Sequence, residues 1–436
     1  MAALPSFGRF PPAHQQDARG VFFHHEAALG TDASSALPRG NGRSYGDGCL
    51  NEGGTLLLGR PCNRLLAFDA RSGVLRCEAG ATLEEIIDFA LPQGFFLPVT
   101  PGTRHVTVGG AIANDVHGKN HHTAGTFGCH VSRFKLWRSD RRPMLCTPQQ
   151  KDDWFGATVG GLGLTGWIGW ADIQLVRVAN PFLVAEELPF VSLEDFFTLS
   201  AASDRDFDYT VAWVDCLAPA RARGRGILWR ANHAPPLAKG SAGLGWRASI
   251  PWELPFPVVG PRRIRAFNAL YYHWKRLKPK PTTRLAHYKG FFYPLDHIAH
   301  WNRLYGPKGF LQLQCVLPHE HASFAVHELL ERCAAAGLGS FLAVLKVFGT
   351  RPSPGWLSFP RPGVTLALDI PHQGERTLTA LRNLYAMICA AGGAIYPAKD
   401  ALMTKEQFQA GYPRWTELAA RRDPAISSSL WRRVSP

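Results

Sequence analysis

Short apolar runs, broken every few residues by glycine, proline or asparagine, dominate the first part of the chain. The runs at 55–58 (TLLL), 64–68 (RLLAF) and 74–79 (VLRCEA) predict strands. At 82–85, the sequence TLEE is a capping box that opens a helix carrying Ile86, Ile87 and Phe89; Gly94 ends it, and 95–99 returns as a strand. Further strands are predicted at 131–137 and, as one long run, at 167–178, with a charged turn at 139–142 between them. The pattern changes near Asn180, where glycine thins out and aromatics increase. Strands are expected there at 209–214, 226–230, 310–317 and 364–370, with helices at 322–336 and 376–391. Strands so far apart in sequence suit a broad antiparallel sheet with helices packed on one face, which gives an α+β fold. A chain of 436 residues is too long for one ordinary core. The expected division is a first domain at 1–178, a second at 179–393 and a C-terminal segment at 394–436.

One helix departs from the simple inward-facing pattern. Pro261 opens it, and Ile264, Phe267, Leu270, Tyr271, Trp274 and Leu277 follow at mixed spacings of three and four. Arg262, Arg263, Arg265, Lys275, Arg276 and Lys278 surround them. Two readings stand: a surface element resting on anionic lipid, or an ordinary amphipathic helix with a solvated basic face.

Net charge widens that question. The chain carries +14, which favours an anionic partner: nucleic acid, an anionic membrane surface or a phosphorylated ligand. The basic run at 221–230 (RARGRGILWR) is the strongest support for nucleic acid. No zinc finger, RNP motif or basic-helix signature accompanies it, so no nucleic acid is expected. The nine cysteines are odd in number, scattered and free of any CxxC pair. Neither a metal site nor a disulfide framework is expected, and reduced thiols point to a cytoplasmic protein. The N-terminus lacks a basic segment followed by an apolar core, and no run of about 18 uncharged apolar residues occurs, so neither a signal peptide nor a membrane-spanning helix is expected.

The candidate chemistry lies in three glycine-rich stretches. The central one, 98–122, reads PVTPGTRHVTVGGAIANDVHGKNHH. Gly102, Gly109, Gly110 and Gly118 let backbone amides approach a phosphate, and Asn114, Asp115, His117 and Lys119 follow closely. By itself this is either a cofactor cradle merging into a reaction site or a glycine-rich turn with solvated histidines. The first stretch, 37–48 (LPRGNGRSYGDG), places glycine at every second position from Gly40 to Gly42, with Arg43 and Ser44 as further donors. It is neither the dinucleotide fingerprint nor a P-loop. The third stretch is ATVGGLGLTG at 157–166. Three loops argue for one extended ligand held from several sides, such as a dinucleotide or a flavin nucleotide.

Together, GRSYGDG, TVGGAIANDVHGKNHHTAGTFG and ATVGGLGLTG resemble the FAD-binding domain of the vanillyl-alcohol-oxidase-like flavoproteins. The resemblance continues through 291–318 (FFYPLDHIAHWNRLYGPKGFLQLQCVLP), LKVFG, LSFPRPG and YPAKD, and is strongest to the branch that oxidises decaprenylphosphoryl-β-D-ribose. It implies an FAD domain completed by the C-terminal segment and interrupted by a substrate domain, with the flavin ring at their interface.

The resemblance also implies roles. Pro38, Arg39, Gly40, Asn41, Gly42, Arg43, Ser44, Tyr45, Gly46, Asp47 and Gly48 match FAD-holding positions, as do Gly102, Thr107, Val108, Gly109, Gly110, Asn114, Asp115, Val116, His117, Ile168 and Tyr396. Gly109 and Gly110 are expected on the pyrophosphate side. Arg43 stands where many relatives in the wider superfamily carry a histidine bonded to the flavin, so a noncovalent FAD is implied. Tyr45, Lys119, Gln312, Gln314, Lys346 and Lys399 match substrate-side positions. The implied reaction is oxidation of the 2′-hydroxyl of a polyprenylphosphoryl pentose to a 2-keto sugar by hydride transfer to flavin N5. This would be the first half of an epimerisation completed by a short-chain-dehydrogenase-type partner. Such a protein would sit in the cytoplasm or peripherally on the inner membrane. Lys399 is expected to handle the proton, with Lys119 beside it; His117 either acts as base or packs against the flavin ring. The alternative with the same fold is an aldonolactone or alditol oxidase. Ala367 stands where the closest relatives carry a cysteine beside the flavin. His121 and His122 are expected to face solvent.

Overall fold

The computed structural model describes residues 4–18, 35–150, 152–236, 238, 248–252, 258–277 and 282–435; Lys278 of the basic helix region lies outside them. Two antiparallel sheets carry the architecture. The smaller has five strands in the order Leu65–Asp69, Val74–Glu78, Trp167–Gln174, Val131–Trp137, Met144–Cys146. Its inward residues, among them Leu75, Cys77, Phe134 and Ile173, share a core with Leu83, Ile86 and Ile87 of helix Leu83–Ala90. The capping box that starts this helix is closed both ways: Thr82 Oγ1 accepts from Glu85 N, and Glu85 accepts from Thr82 N at 2.7 Å. A three-stranded parallel sheet, in the order Gln16–Ala18, Thr55–Leu58, Ala36–Arg39, delivers the chain into the first glycine loop.

Two strands are shorter than the hydrophobic runs suggest. The run at 95–99 pairs only at Phe95–Phe96, because Pro98 has no N–H to give a ladder. The run at 167–178 breaks at Leu175, whose N–H goes to Gly73 O at 2.9 Å; Val176–Arg177 then pairs with Phe95–Phe96.

The larger sheet has eight strands, every neighbouring pair antiparallel: Thr282–His287, Phe182–Phe190, Gly226–His233, Tyr209–Val214, Ala343–Phe348, Gly363–Pro371, Phe310–Leu317, Ala394–Ile395. The period of two in a strand decides which side chains reach the site. Leu311, Leu313, Cys315, Ala343, Leu345, Val364, Leu366 and Leu368 point to one face, where they share a core with helices Leu193–Ser203, Ala322–Ala336 and Glu375–Ala390. The alternate residues Gln312, Gln314, Val344, Lys346, Thr365, Ala367 and Asp369 point to the other face and line a cavity.

The C-terminal segment contacts both regions. Ala394–Ile395 adds the edge strand to the large sheet. Beyond it, Asp423 accepts from Ser139 N at 2.7 Å, Ala36 N donates to Ala425 O at 2.8 Å, and Arg433 reaches Asp47 (2.7 Å) and Asp400 (2.8 Å). The basic run at 221–230 is largely committed to ion pairs: Arg225 with Asp215, Arg230 with Glu186 and Arg223 with Glu331. That leaves little of it to track a phosphate backbone. Among the described residues, no helix is long and apolar enough to cross a membrane.

Candidate active site

A cavity of about 810 Å³ lies between the glycine loops and the open face of the large sheet. The loop side supplies backbone. Among the described residues, the amides of Gly40, Asn41, Gly42, Arg43 and Ser44 make no hydrogen bond, so five successive N–H groups stand unspent beside the cavity. The loop is pinned at its edges instead. Arg39 donates to Cys49 O and Pro5 O, both at 2.7 Å, Asn41 Nδ2 donates to His105 O, and Tyr45 N donates to Ala398 O. At Gly40 a Cβ would lie 2.2 Å from Thr107 Oγ1, so any larger residue has to displace the Thr107 side chain.

The central stretch behaves differently. Gly109 N donates to Ala79 O at 2.7 Å and Gly110 N to Thr107 Oγ1 at 3.2 Å. These amides are already spent within the protein, so neither is free as a donor. Asp115 is buried and accepts from Gly128 N and Ser358 Oγ, which fixes the turn leading to His117; burial pushes its carboxyl up to about 6 against those hydrogen bonds.

Facing the first loop, the titratable side chains come from three segments: His117 and Lys119 from the end of the central stretch, Lys346 and Asp369 from the large sheet, and Lys399 from the turn after Ala394–Ile395. His117 is clamped at both ring nitrogens, Nδ1 to Lys346 Nζ and Nε2 to the Gln314 side-chain amide, each at 3.0 Å. Burial, reinforced by the Lys346 charge, holds its pKa well below the ordinary histidine value, so the ring is neutral. Lys346 also donates to Gly118 O at 3.2 Å. Burial brings Lys346 down to about 7, with the Lys119 and Lys399 charges acting in the same direction, and burial alone brings Lys119 down to about 7. Lys119 donates to Phe291 O and lies over the Phe291 ring. Lys399 sits over the Tyr45 ring, 3.5 Å from its centroid. Burial lowers the Lys399 pKa while the nearby Asp369 carboxylate opposes it; burial raises Asp369, which accepts from Gln312 Nε2. Lys119, Lys346 and Lys399, with Arg39, Arg43, Lys275 and Arg284, outnumber the two carboxylates that line the cavity, Asp296 and Asp369, and make an electropositive site suited to an anionic group.

The FAD binding domain family matches residues 32–141. The chain is 35% identical, over 91% of its length and 88% of the relative's, to decaprenylphosphoryl-β-D-ribose oxidase of Mycolicibacterium smegmatis. It is 34% identical, over 81% of its length and 99% of the relative's, to an uncharacterised protein of Streptomyces coelicolor. Human Δ24-sterol reductase is 27% identical over 26% of the chain and 22% of its own length. The chain belongs to the decaprenylphosphoryl-β-D-ribose oxidase family. It is an FAD-dependent oxidoreductase of the vanillyl-alcohol-oxidase type.

FAD fits what the loop side offers. The five unspent amides suit a pyrophosphate, and the buried Arg43 Nε has no hydrogen-bond partner. Gly102 and Gly163 have open space where a Cβ would point, so a flat or extended group can approach their backbone. Of the residues that match FAD-holding positions, Pro38, Arg39, Gly40, Asn41, Gly42, Arg43, Ser44, Tyr45, Gly48, Gly102, Thr107, Gly109, Gly110, Asn114, Val116, His117, Ile168 and Tyr396 line the cavity. Gly46, Asp47, Val108 and Asp115 do not. Gly46 packs against Asp400 O, Asp47 is paired with Arg433, and Val108 is buried in the small-sheet core. All six substrate-side matches line the same cavity.

His121 and His122 do not face solvent. His121 is 2% exposed, its Nδ1 accepts from Gly349 N, and its ring packs on Phe348 with centroids 4.4 Å apart. His122 Nε2 bonds Phe207 O at 2.9 Å. They brace the loop behind His117. Asp369 and Thr365 are absent from the sequence-based set, yet both line the site. Asp369 did carry a signal: it is the one charged residue in the mainly apolar run VTLALDI.

Proposed function

We propose that the chain oxidises the 2′-hydroxyl of a polyprenylphosphoryl pentose, such as decaprenylphosphoryl-β-D-ribose, to the 2-keto sugar. The observation that carries this reading is the convergence of Lys119, Lys346, Lys399, Gln312 and Gln314 on the cavity that the glycine loops also line. FAD, held noncovalently by the first loop, supplies the acceptor for the hydride that leaves the carbinol carbon. The chain's own residues do the rest. Lys119 and Lys346 offer cationic donors for the phosphate, and the Gln312 and Gln314 amides offer donors and acceptors for sugar hydroxyls. Lys399, lowered by burial, takes the hydroxyl proton in its neutral form. His117 has both ring nitrogens engaged, which suits a positioning role beside the flavin better than that of the base. The keto product suits reduction on its opposite face by a short-chain-dehydrogenase-type partner, which completes an epimerisation. A lipid-held substrate suits a peripheral position on the inner membrane.

The test is anaerobic. The yellow protein should bleach with a detergent-dispersed polyprenylphosphoryl ribose and not with soluble aldonolactones or alditols. Bleaching by the soluble sugars alone would instead select the lactone or alditol oxidase reading. Acid precipitation should release the FAD into the supernatant, as a noncovalent cofactor requires.

A further inference from the structure

Helix Pro261–Arg276 presents three distinct faces at 3.6 residues per turn. Ile264, Asn268, Tyr272 and Lys275 are buried against the protein; Asn268 donates to Asp215 and Lys275 pairs with Glu187 at 2.6 Å. A second stripe is apolar and turned outward. Phe267, Leu270 and Trp274 in the helix and Leu277 just beyond it are 50%, 72%, 52% and 85% exposed, at spacings of three, four and three. Arg263, also exposed, begins that stripe one turn before Phe267 and donates to Val258 O; the remaining flank carries Arg262, Arg265 and Arg276, all exposed, and the helix contains no acidic residue. An ordinary surface helix turns its one apolar stripe inward. This helix buries one face and exposes another, with cations alongside.

The same helix walls the cavity. Phe267 and Tyr271 line it together with Trp213, Trp229 and Phe341. Trp213 meets Tyr271 edge-on at 5.0 Å between centroids, and Phe267 stacks with Tyr271 at 6.0 Å. An aromatic arm of the cavity therefore begins where the exposed stripe lies.

We infer that this helix seats the protein on an anionic bilayer, its arginines among the headgroups and its outward stripe below them, so that the aromatic arm receives a prenyl chain directly from the membrane. The charge of the flank matches an anionic lipid surface, and the stripe supplies the apolar area that interfacial binding needs. The receipt of a prenyl chain rests on the polyprenyl-phosphate reading; the docking does not.

The test uses the FAD-loaded full chain and substrate-free vesicles. Co-sedimentation is expected with phosphatidylcholine vesicles doped with phosphatidylglycerol and not with phosphatidylcholine alone. The double variant Leu270→Glu/Leu277→Glu should bind the anionic vesicles at least about tenfold more weakly. Arg262→Glu/Arg265→Glu should weaken binding by a similar factor and flatten its salt dependence. Neither pair lines the cavity, so anaerobic bleaching by detergent-dispersed substrate should be unchanged in both. Vesicle binding that is absent in the parent, or unaltered in both variants, overturns the inference. A stripe variant that changes only the oligomeric state also overturns it, because the stripe would then be a protein interface. Loss of bleaching in the parent protein with vesicle binding retained would overturn the substrate reading alone.

Discussion

On one side of the cavity the protein presents backbone, and on the other it presents side chains. The loop side offers amides that do not titrate and the buried Arg43 guanidinium, and behind it Arg433 is paired with Asp47 and Asp400. The facing side gathers Lys119 from the central stretch, Lys346 and Asp369 from the large sheet and Lys399 from the turn after Ala394–Ile395, and all four are displaced toward neutrality by burial. In the proposed reaction, grip and chemistry fall to different sides of the cavity. A binding wall works best when its charge state is fixed; a reacting wall needs groups whose protonation lies near the working pH.

The largest expected effect is on the side facing the first loop. Lys399→Met should slow anaerobic flavin reduction by about 10²–10⁴-fold while FAD remains bound with an unchanged absorbance spectrum. Parallel loss of FAD would break the division between the walls.

Next comes the buried pair behind the loop. Arg433→Met leaves Asp47 and Asp400 buried without their cation and should lower stability by about 3–5 kcal/mol, read as a fall in Tm. Asp47→Asn, by contrast, should keep FAD affinity at a temperature where the variant is folded. Selective loss of FAD without a Tm change would return Asp47 to the cofactor site.

A smaller effect is expected from the loop itself. Gly40→Ala forces a Cβ against Thr107 and should cost about 1–3 kcal/mol, appearing chiefly as weaker FAD retention on dilution. Its flavin-reduction rate, once saturated with FAD, should match the parent.

The pH profile sharpens the comparison further. Burial lowers the Lys399 pKa below 10.5, so the neutral, proton-accepting form gains population as pH rises, and reduction should accelerate to a plateau reached well below pH 10.5. The Asp369 carboxylate favours charged Lys399. Asp369→Asn should therefore move the inflection to lower pH, whereas a merely structural role would lower the rate without moving it. The smallest effect is expected from Ala367→Cys. It adds one sulfur to the cavity wall opposite Gln314 and should leave the reduction rate near the parent's while making the site open to thiol-directed labelling.

The two walls were also unequally legible. The loop side was visible because glycine spacing is a local property: a backbone cradle is built from neighbours in sequence. Even there, the sequence could not tell which amides remain unspent, and it placed the pyrophosphate at Gly109 and Gly110, whose N–H groups turn inward to Ala79 and Thr107. On the facing side, Gln312 and Lys346 of the sheet and Lys399 of the turn after it entered through family resemblance, since nothing local joins residues so far apart. Asp369 was passed over although its charge interrupts an apolar strand.

The sequence by itself determined the alternation that splits the large sheet into a core face and a site face, the capping box of the first long helix, and the glycine loops, because each depends on spacing within one segment. Only the tertiary structure decided that His121 is buried, that Asp47 serves Arg433, and that His117 is clamped between Lys346 and Gln314. Each of those outcomes depends on which distant segment arrives opposite, and that is set by the packing of the whole chain.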